Sequence, residues 1–107
     1  MQERHIQLAA AIVLAMLVPK GEAQEVGQAG RGLLTAQRLC AQCHAVEKGQ
    51  ARSPNAQAPT FPTIAAVPGM TATALSAALN TSHRSMPNIL LEPDDQANII
   101  AYILTLK

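Results

Sequence analysis

The sequence predicts an all-α domain. Three stretches carry apolar residues at helical spacing, and no two segments alternate apolar and polar residues as paired strands would. The connections between those stretches are long and punctuated by proline and glycine.

Residues 1–23 stand apart from this pattern. The start is polar and carries Arg4, an apolar run extends from Ile6 to Val18 broken only by Gln7, and Gly21 and Ala23 form a small-x-small end. This reads as a secretory signal peptide cleaved after Ala23, leaving residues 24–107 as a single domain. The competing reading is a retained anchor, but Ile6 to Val18 falls short of the ~20 apolar residues that a spanning helix needs. No stable membrane span is expected once the leader is removed.

Val26, Ala29, Leu33, Leu34 and Leu39 then predict a first helix from about Glu25 to Leu39. Gly30 and Gly32 inside it cost about 1 kcal/mol each relative to alanine, which makes sense where another helix approaches closely. From Glu47 to Met70 the chain is broken by Gly49, Pro54, Asn55, Pro59 and Pro62 before Pro68-Gly69, leaving room for no more than a turn of helix. A loop that long in so small a domain needs something to pack against. Thr71 is the expected N-cap of a helix running to about Asn80, with Leu75 and Leu79 on one face. A second loop, Thr81 to Leu91, holds Met86-Pro87. The last helix begins at Glu92, with Pro93 suited to the first helical position and Asp94 and Asp95 at the positive end of the dipole. Ile99, Ile100, Ile103, Leu104 and Leu106 give it a broad apolar face.

Composition narrows the function. With 49% hydrophobic residues, 14% charged residues and a net charge of +1, this is neither a disordered tail nor a nucleic-acid binder working through bulk positive charge. One Phe, one Tyr and no Trp leave few large side chains for a core. Either the core is almost wholly aliphatic or a non-protein group helps to fill it. Two cysteines cannot build a multi-disulfide scaffold.

The chemistry is concentrated in Cys40-Ala41-Gln42-Cys43-His44, a C-x-x-C-H pattern that reads as c-type haem attachment. Two thiols three residues apart at a helix end can reach the two vinyl groups on one porphyrin edge. The following His44 is then carried under the ring, within reach of the iron. Three other readings compete: a redox-active disulfide, which usually belongs to a βαβ setting; a zinc site, for which adjacent Cys43 and His44 are poorly spaced; and a structural disulfide beside an incidental histidine. One covalent haem c also accounts for the missing aromatics, because a porphyrin replaces several large side chains. The iron's second axial position has Met86 as its first candidate, on a loop stiffened by Pro87, with His83 or an open site as alternatives. Met70, just before a helix start, reads as a packing residue.

With these residues in view, the chain resembles a small class I c-type cytochrome of the exported bacterial monohaem type, over about Gly30 to Leu106. Ala58-Pro59-Thr60-Phe61 resembles the family's loop under the proximal side, Ser85-Met86-Pro87 its distal-ligand loop, and Ile99 to Ile103 its C-terminal helix. The resemblance implies a cytochrome c fold with the first and last helices crossing near the haem edge, Gly32 against Tyr102. The family often has an aromatic where this chain has Ala36, which predicts a less filled crossing. It also implies a proline carbonyl accepting the proximal histidine's proton, with Pro59 in that place.

The function implied is one-electron transfer in the periplasm between redox proteins, a dehydrogenase, oxidase or reductase on either side, with no enzymatic activity of its own. His/Met ligation would saturate the iron and raise its potential. Electrons would pass at an edge near Ala41, Gln42, Arg84 and the neighbours of Met86. With only Lys48 and Lys107 as lysines after the leader, a mostly apolar docking patch is expected. The alternatives are a haem-based gas sensor or small haem enzyme with a labile sixth ligand, and a cytochrome subunit held tightly by a dehydrogenase.

Overall fold

The computed structural model describes residues 27–81, 83 and 85–107. The expected leader, Glu25, Val26, Ser82 and Arg84 lie outside the described residues. Within them the chain forms four helices and no strand: α1 (Ala29–Leu39), α2 (Phe61–Ala65), α3 (Ala72–Leu79) and α4 (Pro93–Leu104). The fold is all-α, three main helices plus the five-residue α2. Among the described residues no helix is long and apolar enough to cross a membrane.

The later helices begin where local chemistry places them. Thr71 caps α3, its side chain accepting from the Ala74 amide at 3.1 Å. Thr60 caps α2 in the same way through the Thr63 amide. Pro93 opens α4, and Asp94 and Asp95 occupy its first turn. Before α3, Val67-Pro68-Gly69-Met70 closes a turn in which Gly69 takes φ +75° and the Met70 amide donates to the Val67 carbonyl. Proline followed by a glycine at positive φ is the type II signature.

Helix α1 starts four residues later than apolar spacing predicts. Gln28 is extended, and its amide donates to Asn98 Oδ1 on α4 at 2.7 Å. That contact spans 70 residues of sequence and competes with a further turn of helix.

The crossing of α1 on α4 is the principal helix–helix contact. Gly32 makes it possible: a Cβ there would lie 1.9 Å from the Asn98 carbonyl oxygen and 2.8 Å from Tyr102 Cβ. Gly30 does not share this role, since nothing lies within 4 Å of its Cβ position. The second close approach is at Gly27, against the Ala97 carbonyl. Ala36, in the place of the family's aromatic, is buried in the crossing (0% exposed). Gly32→Ala is therefore expected to push α1 off α4 and destabilise the fold by at least the ~1–3 kcal/mol of an overpacked core. Gly30→Ala should instead be neutral or stabilising, because it reduces only unfolded-chain freedom. Urea unfolding of both variants checks the contrast.

The core joins all four helices: Ala36, Cys40, Val46, Phe61, Ala65, Leu75, Ile99, Ile100, Tyr102 and Ile103. Among the described residues, Ile99 alone of the large side chains is wholly buried. Met70 packs against this cluster, and its carbonyl accepts from Lys107 Nζ at 2.6 Å.

Candidate functional site

The site begins where α1 ends. Cys40 is the C-cap, its amide bonded to the Ala36 carbonyl, and the amides of Cys43 and His44 both return to the Cys40 carbonyl, at 3.1 and 2.9 Å. The C-x-x-C-H segment is thus a tight turn wound onto the helix end. Cys40 is buried, while Cys43 and His44 are half-buried.

The stretch from Ser53 to Phe61 clasps that turn from one side. The Asn55 amide donates to the Cys43 carbonyl, the Ala45 amide to Ser53 Oγ, and the Phe61 amide to the Ala45 carbonyl. Asn55 is itself shaped by an Asx turn, its Oδ1 accepting from the Gln57 amide. Ser53 and Asn55 have no place in the sequence reading above; the only local signal for them is the Pro54-Asn55 turn dipeptide.

Within the clasp, His44 Nδ1 lies 2.6 Å from the Pro59 carbonyl oxygen. A carbonyl can only accept, so Nδ1 carries a proton and donates, and in the neutral ring the lone pair is then on Nε2. The Phe61 ring stands beside the imidazole, centroids 5.5 Å apart, and also meets Tyr102 at 6.4 Å. His44 is therefore held in one tautomer and against one ring face.

Tyr102 locks the next residues. Its hydroxyl donates to the Val46 carbonyl at 2.5 Å, 56 residues away in sequence. Burial, with the Glu47 carboxylate adding to it, pushes the Tyr102 hydroxyl above its ordinary value. The folded chain holds that proton where the unfolded chain loses it. The contribution is thus full below about pH 10 and is lost as pH rises through the higher folded-state value. Tyr102→Phe should cost about 1–3 kcal/mol at neutral pH by leaving a buried carbonyl unpaired, and should flatten the alkaline loss. Urea titrations at neutral pH and above about pH 10 read both effects.

On the other side of Cys40 is a narrow cleft, lined also by Leu79, His83, Met86, Ile89 and Leu91. Met86 is half-buried and His83 exposed. The structure thus brings His44 together with Pro59, and Cys40 together with both Met86 and His83. Arg84, expected near the electron-exit edge, lies outside the described residues.

These features bear on the competing readings of the motif. Both cysteines are free thiols, and burial pushes the Cys40 thiol up. Among the described residues no three His, Cys, Asp or Glu side chains group as a metal cage would require. The donor set does suit a haem: an imidazole whose Nδ1 is taken up by Pro59 and whose Nε2 is left for the iron, two thiols on the preceding turn, and a thioether lining the cleft beside the first thiol.

Comparison with known proteins bears on the same point. No family model matches the chain, and no solved structure matches it. A search of curated proteins finds it 30% identical over 103 residues to cytochrome c-552 of Bradyrhizobium diazoefficiens, covering 96% of this chain and 98% of that one. The chain belongs to the c-type cytochromes. Its all-α architecture is that of the cytochrome c fold, and haem-based electron transport is the work of this family. In this cytochrome the C-x-x-C-H turn, the clasp around His44 and the Met86 cleft all converge at the end of α1.

Proposed function

We propose that this cytochrome is an exported periplasmic one-electron carrier whose single haem c is joined to Cys40 and Cys43 and ligated by His44 and Met86. The observation that carries the reading is the His44–Pro59 hydrogen bond directly after the C-x-x-C pair. It leaves Nε2 available as a ligand and, through the carbonyl's pull on the Nδ1 proton, makes that nitrogen a better donor. When bound, haem supplies an iron that alternates between two oxidation states.

The residues' own tasks follow from their positions. Cys40 and Cys43 prevent loss of the group outside the cytoplasm. Phe61, Tyr102 and the clasp hold His44 in place, so little reorganises when the charge changes. Pro87 limits the backbone at Met86 and preorganises a weak thioether donor. With two donors to saturate the iron, electron transfer is favoured over turnover of a substrate. Residues 1–23 direct export and are cleaved after Ala23.

The partners are a redox donor and a redox acceptor. Leu90, 98% exposed between the cleft residues Ile89 and Leu91, supports an apolar docking patch. Haem propionates would shift the net charge from +1 to slightly negative, so long-range steering is weak. Electron self-exchange is accordingly expected to change less than about threefold between low and ~0.2 M salt, measured by NMR line broadening. A steep dependence would mean that a charged patch governs docking.

The deciding experiment is a pyridine haemochrome spectrum with the intact mass of protein from a periplasmic extract. The expected result is residues 24–107 plus one haem, with the spectrum of two thioether links. A mass equal to the amino acids alone overturns the proposal.

A further inference from the structure

Two donors on one loop line the same cleft, and only one of them is used in the proposal above. We infer that His83 is a second, reserve donor for the iron position assigned to Met86. This rests on that assignment and extends it.

His83 and Met86 both line the cleft beside Cys40. Neither His83 nor Met86 belongs to a helix, and His83 is exposed. Its N-terminal side is anchored by Asn80, the C-cap of α3, and by Thr81, whose hydroxyl donates to the Ala77 carbonyl at 2.6 Å. Two residues of extended chain span about 7 Å, so His83 stays close to that anchor while its side chain can reach inward. Pro87 restricts the backbone at Met86, whereas no proline adjoins His83. Met86 therefore loses less freedom on binding, and His83 must be ordered first.

The chemistry favours the opposite order. An imidazole nitrogen is a stronger donor to oxidised iron than a thioether, which is soft and weak. Preorganisation keeps Met86 in place, and any loss of its contact leaves His83 as the nearest replacement. In the exchange the bond to the Met86 sulfur breaks and one to a ring nitrogen of His83 forms. The imidazole enters neutral, any extra proton goes to water, and no electron moves. The sequence makes the assignment unambiguous. The chain has three histidines: His5 belongs to the expected leader, and His44 is held by Pro59.

The test compares the mature holoproteins of wild type, His83→Ala, Met86→Ala and the double variant, each checked for haem by mass. Ferric spin state is read by electron paramagnetic resonance and ferrous carbon monoxide affinity by titration. Met86→Ala is expected to remain low-spin, while the double variant becomes high-spin and binds carbon monoxide at least about tenfold more tightly, as expected when nine-tenths of the sites were closed by His83. His83→Ala should keep the sulfur-to-iron charge-transfer band. Identical behaviour of the single Met86 variant and the double variant, whether high- or low-spin, overturns the inference. Retention of the band in Met86→Ala overturns the Met86 assignment instead. Dilution leaves the result unchanged if the donor is in the same chain, and a spin state that changes with concentration counts against it. Should Met86→Ala fail to mature, wild type and His83→Ala are compared in sub-denaturing urea. Low-spin iron persisting after loss of the band in wild type only supports the reserve role, and its absence from both overturns it.

Discussion

Replacing Cys40 and Cys43 together with alanine is expected to yield a chain that carries no haem and does not hold its helices. The reason lies in how little else forms a core. One Phe and one Tyr are the only aromatics, and Ile99 is the one large side chain that is wholly buried among the described residues. A domain the length of residues 24–107 buries only ~60–65% of its unfolded surface and is marginal without a staple or a bound group. A group that binds only the folded state adds its binding free energy to stability. Far-ultraviolet circular dichroism and intact mass measure the outcome. Each single variant should retain haem through the other sulfur, at reduced yield. A double variant that stays helical and cooperative without haem would mean that the protein core suffices.

Met86→Ala is expected to keep the added haem mass, lose the sulfur-to-iron charge-transfer band, and lower the reduction potential by on the order of 100 mV. That is a modest part of the ~0.8 V range that axial ligands span. For a one-electron couple ~59 mV is a tenfold change in equilibrium, so such a drop would reverse transfer to any acceptor of closely matched potential. Voltammetry and the visible spectrum measure both. An unchanged potential and an intact band would show that Met86 is not the ligand.

Both expectations derive from residues that were legible before any coordinates. C-x-x-C-H is a local pattern, as are the Thr71 cap and the Pro93 helix start, because each depends on neighbours within a turn of chain. The start of α1 was not legible in this way. Apolar spacing placed it at Glu25, but the Gln28 amide is drawn to Asn98 across 70 residues. Composition alone does not separate Gly30 from Gly32; the family resemblance places Gly32 against Tyr102, and the position of α4 bears that out.

The site divides along the same line. The all-α class and the candidate C-x-x-C-H site are legible in the sequence alone, since spacing along a helix end and the period of apolar residues are properties of a single segment. The family resemblance already implies Pro59 as the carbonyl facing His44, but why Ser53 and Asn55 matter, how Tyr102 reaches Val46, and that His83 shares the Met86 cleft are decided by tertiary structure. Those relations join segments separated by loops. Loop closure costs depend only weakly on length, so the sequence interval says little about which atoms finally meet.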